Sequence, residues 1–225
     1  HTLLGENGAG KTVIANILSG YYEKTEGEIR VKGKLVHFRS PREGLAHGIA
    51  MVHQELMLVP AFTVAENIMM GLDVPLFSYE ITGVEKRIEI LVERYGLQVD
   101  PKARVENLSA GQQQRVEILK VLFHEPEVLL LDEPTSLLTP SEADQLFVVL
   151  RAMADDGKGI VFISHKMREV FAVSDRVTVL KLGKTQGTCQ ITETNEDELT
   201  RRTFGETVPD YMERPEVAHE ELALN

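Results

Sequence analysis

Val128-Leu129-Leu130-Leu131-Asp132-Glu133-Pro134 places four apolar side chains in succession and then two carboxylates. Successive residues of a strand point to opposite faces, so an unbroken apolar run needs cover on both sides. That is the setting of a central strand in a parallel sheet sandwiched between helices. Charge enters only where such a strand surfaces, at its carboxyl end, and in open α/β sheets that edge is where ligands bind. An acidic turn stopped by Pro134 would be written with the same letters, and this segment alone leaves both readings open.

A second segment decides between them. Gly5-Glu6-Asn7-Gly8-Ala9-Gly10-Lys11-Thr12 fits the pattern G-x-x-x-x-G-K-[ST], follows the apolar pair Leu3-Leu4 and precedes Val13, Ile14, Ile17 and Leu18 at helical spacing. Gly5, Gly8 and Gly10 let backbone N–H groups converge on an anion, and the positive end of the following helix adds its dipole. Lys11 is expected to reach the β- and γ-phosphates of a nucleotide and the Thr12 hydroxyl to ligate Mg²⁺. Given this cradle, Asp132 is expected to hold the metal from behind its direct ligands, and Glu133 to polarise an attacking water.

Composition narrows the alternatives. The 225 residues are 43% hydrophobic and 26% charged, enough for a sizeable core. No apolar run approaches the ~18 residues of a membrane span, and no charged-then-apolar leader opens the chain. The single Cys189 has no partner for an internal disulfide, which fits a reducing compartment and makes a cytoplasmic location the expectation. From Glu193 onward ten acidic residues face three basic ones, so this tail carries −7 of the formal −11. The nearly balanced remainder lacks the basic stripe that nucleic-acid phosphates require, so no nucleic-acid partner is expected. His1-Thr2-Leu3-Leu4 reads as the end of a strand that starts upstream, and the Pro- and charge-rich stretch from Val208 reads as a linker.

Leu108-Ser109-Ala110-Gly111-Gln112 raises a different question, because a polar, small-residue head begins an otherwise apolar helix. Ser109 and Gln112 have capping-box spacing, and Ala110-Gly111 is expected to leave the first-turn amides uncovered for an anion. Val116, Leu119 and Phe123 place the helix body in the core.

These five residues resemble the signature of the ABC ATPases, and Gly111 precedes Asp132 by 21 residues, as in that family. Met51-Val52-His53-Gln54 lies 43 residues after Lys11 at its Gln and resembles the Q-loop; Ile163-Ser164-His165-Lys166 lies 32 residues after Glu133 at its His and resembles the switch histidine. The resemblance implies an α/β fold of P-loop NTPase type, with a RecA-like core over residues 1–55 and 113–191 whose first strands are missing. It further implies an inserted helical subdomain over 56–112 and an acidic tail over 192–225 leading to a second domain. Helices are expected over 63–70, capped by Thr63, and over 83–95, with Val84, Ile88, Leu91 and Val92 on one face.

The resemblance also implies ATP and Mg²⁺ as ligands, with Gln54 and His165 joining Glu133 in catalysis and Gln54 among the metal contacts. Two such domains pair head to tail in the family, so Ser109, Gly111 and Gln112 would meet the γ-phosphate held by the partner domain. The other implied partners are membrane permease subunits and, indirectly, an extracytoplasmic solute-binding protein, placing the chain peripherally on the cytoplasmic face of the membrane. Met57, Phe62, Met69 and Met70 form either the permease contact or ordinary core. The strand pair that carries the adenine-stacking aromatic in relatives is absent, Thr139 stands where many relatives have Asp, and Ala110 where Gly is commoner. Residues 36–41, 51–60, 115–120 and 175–180 resemble importers of nucleosides and simple sugars, usually tandem ATPases. Soluble ABC ATPases of ribosomes or DNA, and regulatory modules that do not turn over, are the competing readings.

Overall fold

A computed structural model describes residues 1–72 and 80–205. Six strands form the main sheet: β1 (Thr2–Leu4), β4 (Ile49–Val52), β5 (Val128–Asp132), β6 (Gly159–Ser164), β7 (Arg176–Lys181) and β8 (Lys184–Gln190). Their order is β4-β5-β6-β1-β7-β8, parallel throughout except for β8, which runs antiparallel on the edge. A separate antiparallel pair, β2 (Ile29–Val31) and β3 (Lys34–Val36), forms a two-stranded sheet.

The apolar run behaves as its pattern requires. In β5, Leu129 and Leu131 enter one core cluster while Leu130 enters another on the opposite face, and all three are at most 1% exposed. The second cluster lies under α1 (Lys11–Ser19), through Ala15, with Ile49 and Met51 of β4 and Ile163 of β6. The first takes in α3 (Val64–Met70), α4 (Ile81–Tyr95), α5 (Ala110–Leu122) and α6 (Pro140–Asp155). Sheet and helical region thus share one core, and α5 runs unbroken across position 112. Because β1, β4, β5 and β6 are parallel, residues 5–12, Gln54, Asp132–Glu133 and His165 all follow strands at the same sheet edge.

The helices expected over 63–70 and 83–95 are α3, capped by Thr63 in a reciprocal box with Glu66, and α4, which starts two residues earlier. Val84 and Ile88 of α4 are buried, while Leu91 and Val92 are half-buried against the core. In α1 the buried face is Lys11, Ala15, Asn16 and Ser19, and Val13 is 49% exposed, so its apolar spacing marks the core side only in part.

The acidic segment does not begin as a linker. After α7 (Met167–Val173) and β8, residues Glu196–Phe204 form α8, capped by Asn195, with three acids in its first turn and two arginines in its last, as the helix dipole favours. Its Leu199 is fully buried with Val177, Val179 and Val170. The stretch from residue 206 onward lies outside the described residues.

α1 ends at Gly20, left-handed at φ 83°, whose missing Cβ would stand 2.3 Å from the Ser40 carbonyl oxygen, and Ser40 caps α2 (Pro41–Ala46). Gly27 is also left-handed, at φ 82°, but faces open space. Gly27→Ala is expected to cost about 1 kcal/mol from backbone strain, and Gly20→Ala about 2–4 kcal/mol because overpacking adds to the strain. Urea unfolding with unchanged slopes measures the difference; equal costs would mean that the Ser40 contact does not constrain the helix end.

Candidate functional site

The turn after β1 is built from two kinds of glycine. Gly8 and Gly10 adopt left-handed conformations, φ 80° and 100°, and Gly10 occupies the N-cap of α1, which therefore has no side-chain cap over its first-turn amides. Gly5 is required for a different reason: a Cβ there would lie 2.4 Å from the Leu180 carbonyl oxygen of β7. Ala9 is buried, and its carbonyl accepts the Gly183 N–H at 3.0 Å, fastening the loop to the β7–β8 turn.

Lys11 folds back under this loop. Its Nζ donates to the Gly5 and Glu6 carbonyls at 2.8 and 3.0 Å and stands 3.9 Å from Glu133 Oε1. Burial lowers the Lys11 pKa, against the pull of Glu133 and Asp132. Asp132 is 2% exposed, and burial raises its pKa; a hydrogen bond from Thr12 works the other way, and the charge of Glu133 adds to the rise. Its Oδ1 is buried and finds no hydrogen-bond partner among the described residues. An unsatisfied carboxylate oxygen beside a threonine hydroxyl is a hard-oxygen donor set suited to a divalent cation, so the residues present fit Mg²⁺.

Asn7, Gly8, Gly10, Lys11, Thr12, Val13, Gln54 and Glu133 line a cavity of about 320 Å³. His165 Nδ1 lies 3.0 Å from Glu133 Oε1. Glu133 itself is left-handed at φ 45°, held there by its N–H bonding to the Ile163 carbonyl at 3.0 Å. Strain of this kind persists only where the surroundings over-determine it. The cradle, Gln54, Asp132, Glu133 and His165 are therefore one constellation.

Ser109, Gly111 and Gln112 stand apart from it, at the start of α5. The reciprocal box is present: Gln112 N–H donates to Ser109 Oγ, and Ser109 N–H to Gln112 Oε1, at 3.3 and 3.0 Å. The first-turn amides, however, are not left uncovered. Glu142 Oε1 lies 3.3 Å from Ser109 Oγ and accepts from the Gly111 amide, and a Cβ at residue 111 would sit 2.6 Å from that oxygen. The same carboxylate caps α6, accepting the Thr139 N–H at 3.0 Å. These bonds, those from Thr139 first, hold its pKa below the usual glutamate value. Sequence reading missed Glu142, although T-x-x-E over 139–142 is itself a capping-box pattern. Its reach to a second helix is tertiary and has no sequence signal.

A second surface flanks Gln54. Tyr21, His53, Met57, Glu117 and Lys120 contribute to a cavity of about 190 Å³, with the Tyr21 and His53 rings edge to face at 4.5 Å. Burial lowers the His53 pKa, and its Nε2 is buried without a partner among the described residues. Met57, Met70 and Phe62 are exposed, whereas Met69 packs against the core.

Residues 1–136 match the ABC transporter family. Over its whole length the chain is 44% identical to the nucleoside import ATP-binding protein NupA of Lactococcus lactis subsp. cremoris (strain MG1363), of which it covers 44%. It is 41% identical to the glucose import ATP-binding protein TsgD13 of Haloferax volcanii, again over its whole length, covering 46% of that protein. The chain thus spans less than half the length of the curated relatives it matches. Its fold is that of a nucleotide-free ATP-binding cassette from an ABC transporter, with a TM-score of 0.76 over 89% of this chain and 82% of the other at 24% identity.

Because the Asp132 pKa is raised on folding, the ionised carboxylate opposes stability at neutral pH. The opposition is complete above the folded-state pKa and disappears below the ordinary aspartate value. Asp132→Asn is expected to raise the nucleotide-free urea midpoint at pH 7, with a gain that shrinks as acid protonates the wild-type group. A midpoint lowered at pH 7, with a loss that shrinks in acid, would show instead that the charge stabilises the fold.

Proposed function

Since the chain belongs to the ABC transporter family, we propose that it is the ATP-binding and hydrolysing unit of an importer that carries a nucleoside or simple sugar through a membrane permease. The observation that carries this reading is the line of Lys11, Glu133 and His165, with steps of 3.9 and 3.0 Å beside the phosphate-sized cavity. The names of the relatives, which are import proteins for a nucleoside and for glucose, support an importer over a ribosomal, DNA-associated or non-hydrolysing module.

In this reading residues 5–12 seat the triphosphate through backbone amides, and Lys11 exchanges its carbonyl partners for β- and γ-phosphate oxygens. Thr12 and Gln54, with Asp132 nearby, would hold Mg²⁺, which would supply charge neutralisation at the phosphate oxygens. Glu133 orients water in line with the γ-phosphate, and His165, on the same carboxylate, contacts the phosphate side of that water.

A second ATPase domain, within a longer polypeptide or in another copy, completes the site by presenting its counterpart of Ser109, Gly111 and Gln112. Glu142 covers that helix end here, so closure on a phosphate exchanges one anion for another. The permease docks beside Gln54, where Tyr21, Met57 and Lys120 line the groove and Phe62 and Met70 are exposed. A solute-binding protein acts on the far side of the membrane. Among the described residues no helix is long and apolar enough to cross a membrane, which agrees with peripheral attachment at the cytoplasmic face.

Glu133→Gln in the complete polypeptide, assembled with its permease, is expected to lower ATP turnover by about 10²–10⁴-fold while ATP binding stays within about twofold. Steady-state phosphate release and nucleotide binding measure the two; undiminished turnover would remove Glu133 from the hydrolytic role.

A further inference from the structure

Beneath the Glu133–His165 pair lies a second carboxylate. Glu169, in the first turn of α7, is 6% exposed, a setting that costs free energy unless the charge is fully paired and hydrogen-bonded. It is paired. Thr135 Oγ1 donates to Oε1 and Ser164 Oγ to Oε2, both at 2.7 Å, and Lys166 Nζ stands 3.0 Å from Oε1. A glutamate at this helix position ordinarily turns back to the N-cap amide. Here the Lys166 N–H is taken by Ser164 Oγ at 3.1 Å, and Glu169 reaches across to another loop.

The loops it joins carry the reacting groups. Thr135 is two residues after Glu133, with the fixed φ of Pro134 between them, while Ser164 and Lys166 flank His165. Thr135 and Ser164 are both 2% exposed, and Lys166 Nζ also lies 3.4 Å from the Thr135 carbonyl. The left-handed backbone of Glu133 is restrained by its own N–H bond to Ile163, a turn bond from Ser136 and, through Pro134, the anchored Thr135 hydroxyl.

We propose that Glu169 is a positioning residue for hydrolysis, its buried carboxylate clamping the loops after β5 and β6 so that Glu133 and His165 meet at 3.0 Å. An apolar side chain would fill the same space without tying the loops together. A glutamine would lose the charge facing the Lys166 ammonium, and its NH₂ would either oppose that ammonium as a second donor or force a hydroxyl to turn from donor to acceptor. The proposal rests on the hydrolytic reading of Glu133 and His165.

The test is Glu169→Gln in the complete polypeptide assembled with its permease. ATPase kcat is expected to fall by about tenfold or more, with KM for ATP within about twofold, the pattern of a loss confined to the transition state. An unchanged kcat, or a KM rise with kcat intact, would overturn the proposal. Should this variant not fold, Thr135→Val and Ser164→Ala each remove one hydroxyl and are expected to give the same split to a smaller degree; two normal kcat values would overturn it. A double-mutant cycle with His165→Ala separates positioning from a remote effect: once the pair is broken, Glu169→Gln is expected to cost several-fold less, and an equal factor in both backgrounds would refute the clamp. Glu133→Gln measured alongside distinguishes the failures. If it too leaves turnover intact, the hydrolytic assignment fails, whereas if it alone stops turnover, only the clamp does.

Discussion

Covering β5 on both faces leaves no place for charge along the strand and forces it to the carboxyl end. Leu129, Leu130 and Leu131 are each at most 1% exposed, and burying such side chains contributes about 1.5–3 kcal/mol apiece, as an upper estimate. That apolar anchorage is what allows the next residue, Asp132, to remain nearly buried with one oxygen unsatisfied, and the residue after it, Glu133, to sit in a left-handed backbone. Neither feature would survive on a loop free to relax. The parallel neighbours then bring the ends of β1, β4 and β6 to the same edge, so one packing constraint gathers the phosphate loop, Gln54, Asp132, Glu133 and His165.

What was legible beforehand follows from how local each feature is. The phosphate loop is set by left-handed glycines within eight residues, and the caps at Thr63 and Ser109 by contacts three residues apart, so spacing alone identifies them. The character of β5 was legible because an apolar run buried on both sides has no other use. The place of β1 between β6 and β7 depends on partners far along the chain. α8 was obscured by its charge: composition groups Glu196–Phe204 with the acidic tail, yet the apolar Leu199, buried against β7, binds that helix to the sheet. Gly5 shows the reverse case, a motif residue whose place was legible but whose reason, the Leu180 carbonyl at 2.4 Å from a built Cβ, belongs to tertiary packing.

Buried carboxylates do two different jobs near the ends of β5 and β6. Asp132 is left short of partners, a destabilised group whose free oxygen is available to a cation. Glu169 has the Thr135 hydroxyl and the Lys166 ammonium on Oε1 and the Ser164 hydroxyl on Oε2, so both oxygens are partnered within the protein, as a clamp requires. Satisfaction of lone pairs, rather than burial or charge, separates the two roles.

The same reasoning applies to the start of α5. In this domain Ser109 Oγ takes the Gln112 amide and Glu142 the Gly111 amide, while Glu142 also caps α6. A carboxylate and a phosphate cannot occupy one helix end together, because like charges a few ångströms apart repel strongly once water is excluded. Glu142 is only half-buried, however, and its bonds to Thr139 can persist while those to Ser109 and Gly111 are given up. In the proposed pairing the helix end would therefore pass from a singly charged internal anion to a multiply charged external one without being left bare, the exchange biased by charge and by exclusion of water as a second domain approached.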